Sequence, residues 1–366
     1  MICLTPARRQ KGEPLYNKQI TGTNSTVRNA EFRGVRRILI VKPSALGDIV
    51  HSLPVLNALS KKFPGARIDW VVAHGLHKFL EGHPMIHKLW VIKKDQWKQL
   101  SRLRQTFGEI NLLRKNLGSQ GYDVCIDLSG LFRSGLISGF SRARIRLGFK
   151  ESDEGSPLFY THRIHGSMKI HAIDRYLKLA GFMGCRTDEV VYPFAPYDPC
   201  PPIMKTLPGR YVVMSPSAGK PANRWPAERF GELAARLNLP VVVIASAAEA
   251  GIADAVVSAS NGNAVSIAGK TGLKELLPVI EKADYFICND TGPMHIAAAL
   301  KVPVFAIFGP ANPLRTGPYG SGHTVIQKCF PCSPCYAKHP CTSHDFKCMD
   351  TLTVADVYCT IQERKS

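Results

Sequence analysis

Apolar and polar residues alternate in blocks along most of this chain, beginning near residue 36. Short apolar blocks bounded by turn residues indicate buried strands, and longer blocks with a helical period indicate amphipathic helices. Helices are predicted at 226–237, 273–282 and 353–364. Strands are predicted at 37–42, 67–73, 88–92, 123–127, 144–148, 211–215, 240–245, 264–267, 284–288 and 303–308. Because strands that alternate with helices form parallel sheets covered on both faces, the pattern predicts an α/β fold.

A stretch rich in proline interrupts this alternation between Pro193 and Gly209. The chain has 366 residues, more than one hydrophobic core usually serves, so two domains are expected. We expect a basic flexible arm at 1–35, an α/β domain at 36–195 and a linker at 196–209. A second α/β domain at 210–352, with a cysteine-rich segment at 329–348, and a closing helix at 353–366 complete the prediction.

Two glycine-containing turns, one in each predicted domain, directly follow buried strands. The first reads KPSALGD at residues 42–48, and the second reads NDTGPMH at residues 289–295. Each leads into a helix, so backbone N–H groups and the helix dipole are expected to point at a ligand in front. Ligands of open α/β sheets bind at the carboxyl ends of the strands. The two turns therefore predict an anion-binding cleft between two domains.

The positive charge of the chain lies mostly in its first half. The net charge is +19, with 31 Lys and Arg against 15 Asp and Glu in residues 1–195 and 16 against 13 in residues 196–366. The first half is therefore expected to meet a polyanion, which could be nucleic acid, an anionic membrane or a phosphorylated or carboxylated substrate. The sequence has no apolar run of the eighteen or so residues that span a bilayer and no signal-peptide core, so we predict a cytoplasmic protein.

Five of the eleven cysteines lie in one segment. In a cytosolic chain such a cluster is more typical of metal binding than of disulfides. The spacing matches no standard zinc finger, so a structural zinc site, an iron–sulfur cluster and plain thiols all stay open. The candidate ligands are Cys329, Cys332, Cys335, Cys341 and Cys348, and His339 and His344 add two more.

Four motifs resemble, in order and spacing, those of the bacterial ADP-heptose:lipopolysaccharide heptosyltransferases, glycosyltransferase family 9. They lie at residues 37–51, 221–226, 289–295 and 308–320, and the resemblance covers roughly residues 36 to 320. The sequence IDWVV at residues 68–72 is most similar to heptosyltransferase I, which adds the first heptose to Kdo on lipid A.

The resemblance implies a GT-B fold, in which two Rossmann-like domains have parallel sheets facing a central cleft. The C-terminal domain would bind ADP-heptose, and the N-terminal domain would bind Kdo–lipid A or an inner-core lipopolysaccharide acceptor. The resemblance also implies inversion at the anomeric carbon without a metal or other cofactor. A relative that transfers another sugar, or adds heptose at a later position, is the alternative within the family.

The resemblance assigns the catalytic base to Asp48. Inverting transfer needs a base for the acceptor hydroxyl proton, and a helix N-terminus keeps a carboxylate ionised. The alternative is an ordinary helix cap.

The resemblance also places a set of residues around the donor. Arg224 would lie against the diphosphate and Glu249 against the ribose, although ASAA at residues 245–248 replaces the usual Gly-Gly-Pro type of turn. Lys220 is a second candidate cation, with a solvated lysine as the alternative. His295 could instead be a packed core residue. The remaining donor candidates are Ser44, Gly47, Asp290, Thr291 and Gly292.

Basic and apolar residues of the first half are candidates for contact with the acceptor. Arg133, Arg142, Arg144 and Arg146 could bind its carboxylates and phosphates, or could simply be solvated. Core packing explains an apolar stripe over residues 97–117, and peripheral contact with the anionic surface of the inner membrane is the alternative. The stripe consists of Trp97, Leu100, Leu103, Phe107, Ile110, Leu113 and Leu117.

A basic nucleic-acid-binding protein with a zinc module is the hypothesis from another class. Such a protein would need aromatic residues interleaved with basic ones, or a recognition helix. The sequence has neither signal, so we expect no nucleic acid partner.

Overall fold

The chain divides into two compact units at Pro196, and the N-terminal strand β1 (Ile2–Pro6) belongs to the second of them. The division lies at the start of the predicted linker 196–209. The computed structural model describes residues 2–6, 31–98, 101, 103–336, 341 and 347–365.

The first unit is one parallel sheet with helices between its strands. Its strands are β2 (Arg37–Val41), β3 (Arg67–Ala73), β4 (Lys88–Ile92), β5 (Val124–Asp127), β6 (Ile145–Phe149) and β7 (His162–Ile164). Its helices are α1 (Leu46–Lys62), α2 (His77–Leu80), α3 (Leu103–Gly118), α4 (Phe132–Phe140) and α5 (Ala172–Phe182). The strand order is β4-β3-β2-β5-β6-β7, and every neighbouring pair is parallel, so all the carboxyl ends lie at one edge.

The second unit repeats this plan around a seven-stranded sheet. Its further strands are β8 (Val212–Ser215), β9 (Val241–Val243), β10 (Ala264–Ser266), β11 (Phe286–Asn289), β12 (Val304–Phe308) and β13 (Thr324–Lys328). Its helices are α6 (Ala227–Arg236), α7 (Ala250–Ser258), α8 (Leu276–Glu281), α9 (Gly292–Ala299), α10 (Pro313–Thr316), α11 (Lys347–Asp350) and α12 (Val354–Lys365). The order is β1-β13-β12-β11-β8-β9-β10, and the outermost strand β1 pairs antiparallel with β13.

The buried apolar strands explain why these segments form the two sheets. Leu39 and Val41 of β2 share one core with Leu117 of α3. In the second unit, Val357 and Ile361 of α12 are fully buried in the core of that sheet. Each such side chain contributes roughly 1.5–3 kcal/mol when it leaves water. Burial on both faces therefore fixes the sheets and, with them, the carboxyl edges.

All ten predicted strands are confirmed, with ends within two residues of the prediction. Three further strands, β1, β7 and β13, were not predicted. The expectation of a flexible arm over 1–35 is wrong at Ile2–Pro6, because these residues pair with β13. It is also wrong near Phe32 and Val35, which are buried. Among the described residues, no helix has the length and apolar character needed to cross a membrane.

Candidate active site

Asp48 lies in the first turn of α1, directly after the carboxyl end of β2. The helix follows the cap residue Ala45, and the Ala45 backbone N–H donates to Asp48 Oδ2 at 3.1 Å. The Asp48 side chain is nevertheless 39% exposed. The carboxylate therefore helps to cap α1 and is still open to a ligand, so the cap role and the base role are compatible.

Two buried residues hold the Asp48 carboxylate. Lys42 Nζ lies 3.5 Å from Asp48 Oδ2, and the Tyr176 hydroxyl of α5 donates to Asp48 Oδ1 at 3.1 Å. Lys42 also donates to the Tyr176 hydroxyl at 2.9 Å and to the Leu128 carbonyl at 3.2 Å. Lys42 and Tyr176 are only 4% and 5% exposed. We call these three residues the Asp48 triad.

The protonation states of the triad follow from its burial and charges. Burial lowers the pKa of Lys42, but the Asp48 carboxylate, Tyr176 and the Asp127 carboxylate raise it more, so the net pKa is above its usual value. Burial and the charge of Asp48 raise the pKa of Tyr176, and Lys42 opposes them. Lys42 is therefore an ammonium group and Tyr176 a neutral hydroxyl at physiological pH.

Asp127, at the end of β5, holds the neighbouring loop. It is fully buried, and burial raises its pKa despite the hydrogen bonds it accepts. Asp127 accepts from the backbone N–H groups of Ser129 and Gly130 and from the Tyr160 hydroxyl, at 2.8, 3.2 and 2.7 Å. These bonds fix the loop whose Leu128 carbonyl binds Lys42.

The four arginines predicted for the acceptor do not lie together. Arg133 is in the first turn of α4, at the same sheet edge as Asp48. In contrast, Arg142 and Arg144 precede β6, and Arg146 is its second residue, so these three lie at the opposite edge. The Arg146 guanidinium donates to the Phe159 and Ala143 carbonyls, both at 2.8 Å. The sequence pattern did not separate the start of a strand from its end, so the structure does not bring these three to Asp48, and their contact with the acceptor stays a prediction.

Other basic residues do lie at the Asp48 edge. Lys93, Lys150 and Lys169 follow the carboxyl ends of β4, β6 and β7 and are exposed. We call these lysines and Arg133 the carboxyl-edge cations. Sequence reasoning missed the lysines because they are dispersed over separate loops, although Lys93 and Lys150 closely follow predicted strand ends.

In the second unit, Arg224 and Glu249 come together from two loops. Arg224 follows β8, Glu249 follows β9, and their closest charged atoms are 3.6 Å apart. The Arg224 Nε–H donates to the Ala218 carbonyl at 3.0 Å, and Glu249 accepts from the Ser246 hydroxyl at 2.7 Å. Both side chains are about one-third exposed, so this pair is held in place and open to a ligand.

Asp290 and Lys220 form a second charged group at this edge. Burial raises the pKa of Asp290 to about 6, and the charge of Lys220 opposes this shift. Asn223 Nδ2 donates to Asp290 Oδ2 at 3.4 Å, and Lys220 Nζ donates to the Tyr336 carbonyl at 3.0 Å. Lys220 is thus anchored by hydrogen bonding rather than simply solvated.

Replacing Asp290 by Asn should stabilise the ligand-free protein at pH 7.5 by up to about 3 kcal/mol, at about 1.4 kcal/mol per pKa unit. Because folding raises the pKa of Asp290 from 3.8 to about 6, wild-type stability is lost as the pH rises through this window. The gain should be small at pH 4. Denaturant unfolding of the wild type and the variant at pH 7.5 and pH 4 measures this gain in the free energy of unfolding. Asp254→Asn, at an exposed position, is the control. An equal gain at both pH values would contradict the explanation.

Thr291, Gly292 and His295 lie at the start of α9. Thr291 caps the helix, Gly292 is its first residue and His295 is its fourth, with 8% of its surface exposed. Asn289, which was not predicted, lies just before them and is fully buried. It donates to the Pro216 carbonyl at 2.6 Å and accepts from the Trp225 backbone N–H at 3.1 Å. Asn289 is the first residue of the turn motif at 289–295, but nothing in the sequence shows that its amide joins this turn to the loop after β8.

Comparison with known proteins identifies the family. Glycosyltransferase family 9 (heptosyltransferase) matches residues 110–344, more than half of the chain. This chain belongs to glycosyltransferase family 9.

Several members of this family are similar to the chain over most of their length. The lipopolysaccharide core heptosyltransferase OpsX of Haemophilus influenzae is 28% identical over 302 residues, covering 80% of this chain and 84% of OpsX. Lipopolysaccharide heptosyltransferase 1 of Pseudomonas aeruginosa is 29% identical over 327 residues, covering 82% and 86%. Relatives named heptosyltransferase 2 also match.

The structure of Escherichia coli heptosyltransferase WaaC with ADP has a TM-score of 0.73 to this glycosyltransferase. The two chains are 23% identical, and the match covers 90% of this chain and 99% of WaaC. It confirms the predicted GT-B fold with two Rossmann-like domains. The two glycine-containing turns belong to different units of the chain, with Ser44, Gly47 and Asp48 in the first and Thr291, Gly292 and His295 in the second. Donor contact by Ser44 and Gly47 stays a prediction.

The cysteine segment of the glycosyltransferase lies after β13. Cys329 is disulfide-bonded, which removes it from the predicted metal ligands. Burial raises the pKa of Cys348 to about 11, with contributions from the thiols of Cys335, Cys341 and Cys332. Over the residues that the structure describes, no three His, Cys, Asp or Glu side chains are placed to hold a metal ion. His339 and His344 lie outside the described residues, and the structural zinc stays a prediction.

Proposed function

We propose that this glycosyltransferase moves heptose from ADP-heptose to the Kdo region of lipopolysaccharide, inverting the anomeric carbon without a metal. The observation that carries the proposal is an accessible carboxylate, Asp48, held on both oxygens at the carboxyl edge of the first sheet. The names of OpsX and heptosyltransferase 1 support the sugar and the acceptor class. Transfer to a later heptose position is the alternative, which the heptosyltransferase 2 relatives favour.

In the proposed reaction Asp48 is the base. It takes the proton of the acceptor hydroxyl as that oxygen bonds to the anomeric carbon of heptose, and the bond from this carbon to the diphosphate oxygen breaks. Lys42 and Tyr176 do not touch the substrate in this proposal. They fix the carboxylate so that its free lone pair faces the acceptor, which avoids reorganisation during the reaction.

The second unit would stabilise the leaving ADP. Negative charge grows on the diphosphate as the bond breaks, and preorganised positive groups lower the energy of that state. Arg224, Lys220 and the N-terminus of α9 provide such groups at one sheet edge. We propose that they neutralise the diphosphate in place of a divalent cation, while Asp290 and Asn223 hold the turn.

Incubation of the protein with ADP-heptose and Kdo–lipid A, followed by mass spectrometry, tests the proposal. We expect one added heptose, formed equally in the presence of a chelator. Other nucleotide sugars and an acceptor that already carries the first heptose are the comparisons. Product only from the heptosylated acceptor would assign the later position, and no product with any heptose donor would overturn the proposal.

Replacing Arg224 by Ala should weaken ADP binding by on the order of 1.5–3 kcal/mol, because a charge-assisted hydrogen bond to phosphate is lost. Calorimetry with ADP measures this loss. Arg210→Ala is the matched control, since Arg210 pairs with Asp284 at the amino edge of the same sheet. Equal ADP affinity in the Arg224 variant and the wild type would reduce Arg224 to a structural role.

Salt should raise the KM for the acceptor more than the KM for ADP-heptose, because the carboxyl-edge cations would attract the anionic acceptor and exposed charges are screened beyond about 8–10 Å. The joint replacement of Arg133, Lys150 and Lys169 by Ala should flatten this dependence in steady-state kinetics. The control is the double variant Arg142→Ala and Arg144→Ala, which removes charges from the opposite edge. If the control variant reduces the salt dependence of the acceptor KM by the same amount, the effect comes from the net charge of the protein and not from the carboxyl-edge cations.

A further inference from the structure

Helix α3 of the first unit has apolar residues on its solvent side. Thr106, Leu113 and Leu117 are buried, and the last two belong to the core. The predicted apolar stripe therefore holds only in part, because Leu103 is 47% exposed and Phe107 is 69% exposed. Leu112, on the same helix, is 59% exposed. Core packing explains Trp97 and the C-terminal part of the stripe. It does not explain Leu103 and Phe107 of the stripe, or the neighbouring Leu112. Leu100 lies outside the described residues.

The solvent side of α3 also has a shallow depression beside Phe107. Its volume is about 510 Å³, and Phe107, Gly108, Ile110, Asn111 and Arg114 line it. Single exposed apolar residues need no explanation, but a cluster with a concave apolar wall is typical of an interaction surface.

Positively charged residues lie on the same exposed side of α3. Arg104, Arg114 and Lys115 are exposed on α3, against the single acid Glu109. One Glu109 oxygen accepts from Trp97 Nε1 at 3.2 Å. Helical spacing puts Leu103, Phe107 and Arg114 on one flank of the exposed side, Arg104 and Lys115 along its centre and Leu112 on the other flank. The exposed side of α3 therefore has cations at its centre and apolar side chains on both flanks.

We propose that this surface of α3, formed by Leu103, Arg104, Phe107, Leu112, Arg114 and Lys115, docks on an anionic phospholipid bilayer. Phe and Leu side chains enter the boundary between headgroups and acyl chains, while Arg and Lys bind lipid phosphates. Charge complementarity favours an anionic bilayer as the partner, because the half of the chain that contains α3 is itself strongly positive, with 31 Lys and Arg against 15 Asp and Glu.

The direction of α3 places Leu103 and Phe107 near the end of the sheet that contains Asp48. The helix starts after the carboxyl end of β4 and leads to β5, which runs parallel to β4 in the same sheet with β3 and β2 between them. It therefore runs back toward the amino ends of the strands. Leu103 and Phe107 are thus at the end of α3 closer to the Asp48 edge. A bilayer bound there would present its headgroups on the side of the base and the carboxyl-edge cations. This part of the inference rests on the proposed lipid-linked acceptor.

Vesicle flotation tests the docking surface. The whole protein is mixed with vesicles of phosphatidylcholine alone, or of equal parts phosphatidylcholine and phosphatidylglycerol. We expect binding to the anionic vesicles only, and a loss of about tenfold or more in the partition coefficient for the double variant Leu103→Ser and Phe107→Ser. Arg114→Ala with Lys115→Ala should lose the preference for anionic lipid.

The matched control is Leu158→Ser with Leu314→Ser, which removes two leucines that are 78% and 65% exposed elsewhere. It should bind vesicles like the wild type, and unchanged circular dichroism of both double variants checks their folding. Equal vesicle binding by the wild type and the α3 variant overturns the proposal. A wild-type dimer that becomes monomeric in the α3 variant, without vesicle binding, assigns the surface to a second copy and also overturns it.

An activity assay separates this inference from the proposed function. With an acceptor whose acyl chains have been removed, the α3 variant should turn over at the wild-type rate. With acceptor embedded in anionic vesicles, its rate should fall in proportion to its binding. Vesicle binding through α3 without any heptose transfer would reject the proposed function and leave the docking surface intact.

Discussion

Replacing Asp48 by Asn should reduce turnover by about two or more orders of magnitude, the usual contribution of a positioned general base. The substitution keeps the size of the side chain and its contact with the Ala45 N–H group through the amide oxygen, but removes the proton acceptor. ADP binding should stay close to that of the wild type, since Arg224, Lys220 and the start of α9, the groups proposed to neutralise the diphosphate, lie in the second unit. Single-turnover kinetics and calorimetry measure the two quantities.

The control for this experiment is Asp95→Asn. Asp95 lies after β4 at the same edge of the sheet, is 80% exposed and pairs with Lys94. Its replacement removes one carboxylate from the same edge without changing the triad. Near-wild-type turnover of the Asp48 variant would remove Asp48 from the mechanism.

Replacing Lys42 by Met should lower turnover by roughly ten- to a hundredfold, because misplacement of a reacting group by about 1 Å is costly. The acid limb of the pH–rate profile should also move to higher pH, since a carboxylate without its positive neighbour is easier to protonate. The profile of kcat against pH separates this positioning role from a loss of stability. An unshifted acid limb would contradict the role assigned to Lys42.

Tyr176→Phe is the companion variant. It keeps the ammonium group of Lys42 and removes the hydroxyl that donates to Asp48 Oδ1. We expect a smaller loss of turnover and a smaller shift of the acid limb than in the Lys42 variant. If turnover falls more and the acid limb shifts more in the Tyr176 variant than in the Lys42 variant, orientation by Tyr176 controls the carboxylate rather than the charge of Lys42.

Local sequence patterns were sufficient for ten of the thirteen described strands and for the two turns. Buried parallel strands such as β2 and β11 are short apolar runs, and the turns after them contain Asp48 and Asp290 within a few residues. The same information could not reveal the Asp48 triad, because Tyr176 is 128 residues away from Asp48 along the chain. Its position depends on how α5 packs.

The sequence was not sufficient where a residue's position depends on which end of a strand, or which face of a helix, it occupies. The arginines around Arg144 are close together in sequence, but they lie at the start of β6 and thus at the opposite end of the strands from Asp48. The pair of Arg224 and Glu249 was expected only as two separate ligand contacts. On α3, the apolar period was visible, but its division between core and solvent depends on where the sheet ends.

The bonds of Asn289 have a consequence for engineering donor specificity. One buried amide joins the loop after β8, through Pro216 and Trp225, to the turn that starts α9. Substitutions in these two loops should therefore be non-additive, because a change in one is transmitted to the other. The loop at 244–249 makes no bond to Asn289 among the hydrogen bonds of the described residues, and it is composed mainly of small side chains. Libraries that aim at a different nucleotide sugar should accordingly randomise 244–248 first and keep Asn289 and Glu249 constant, because Glu249 pairs with Arg224 of the loop after β8.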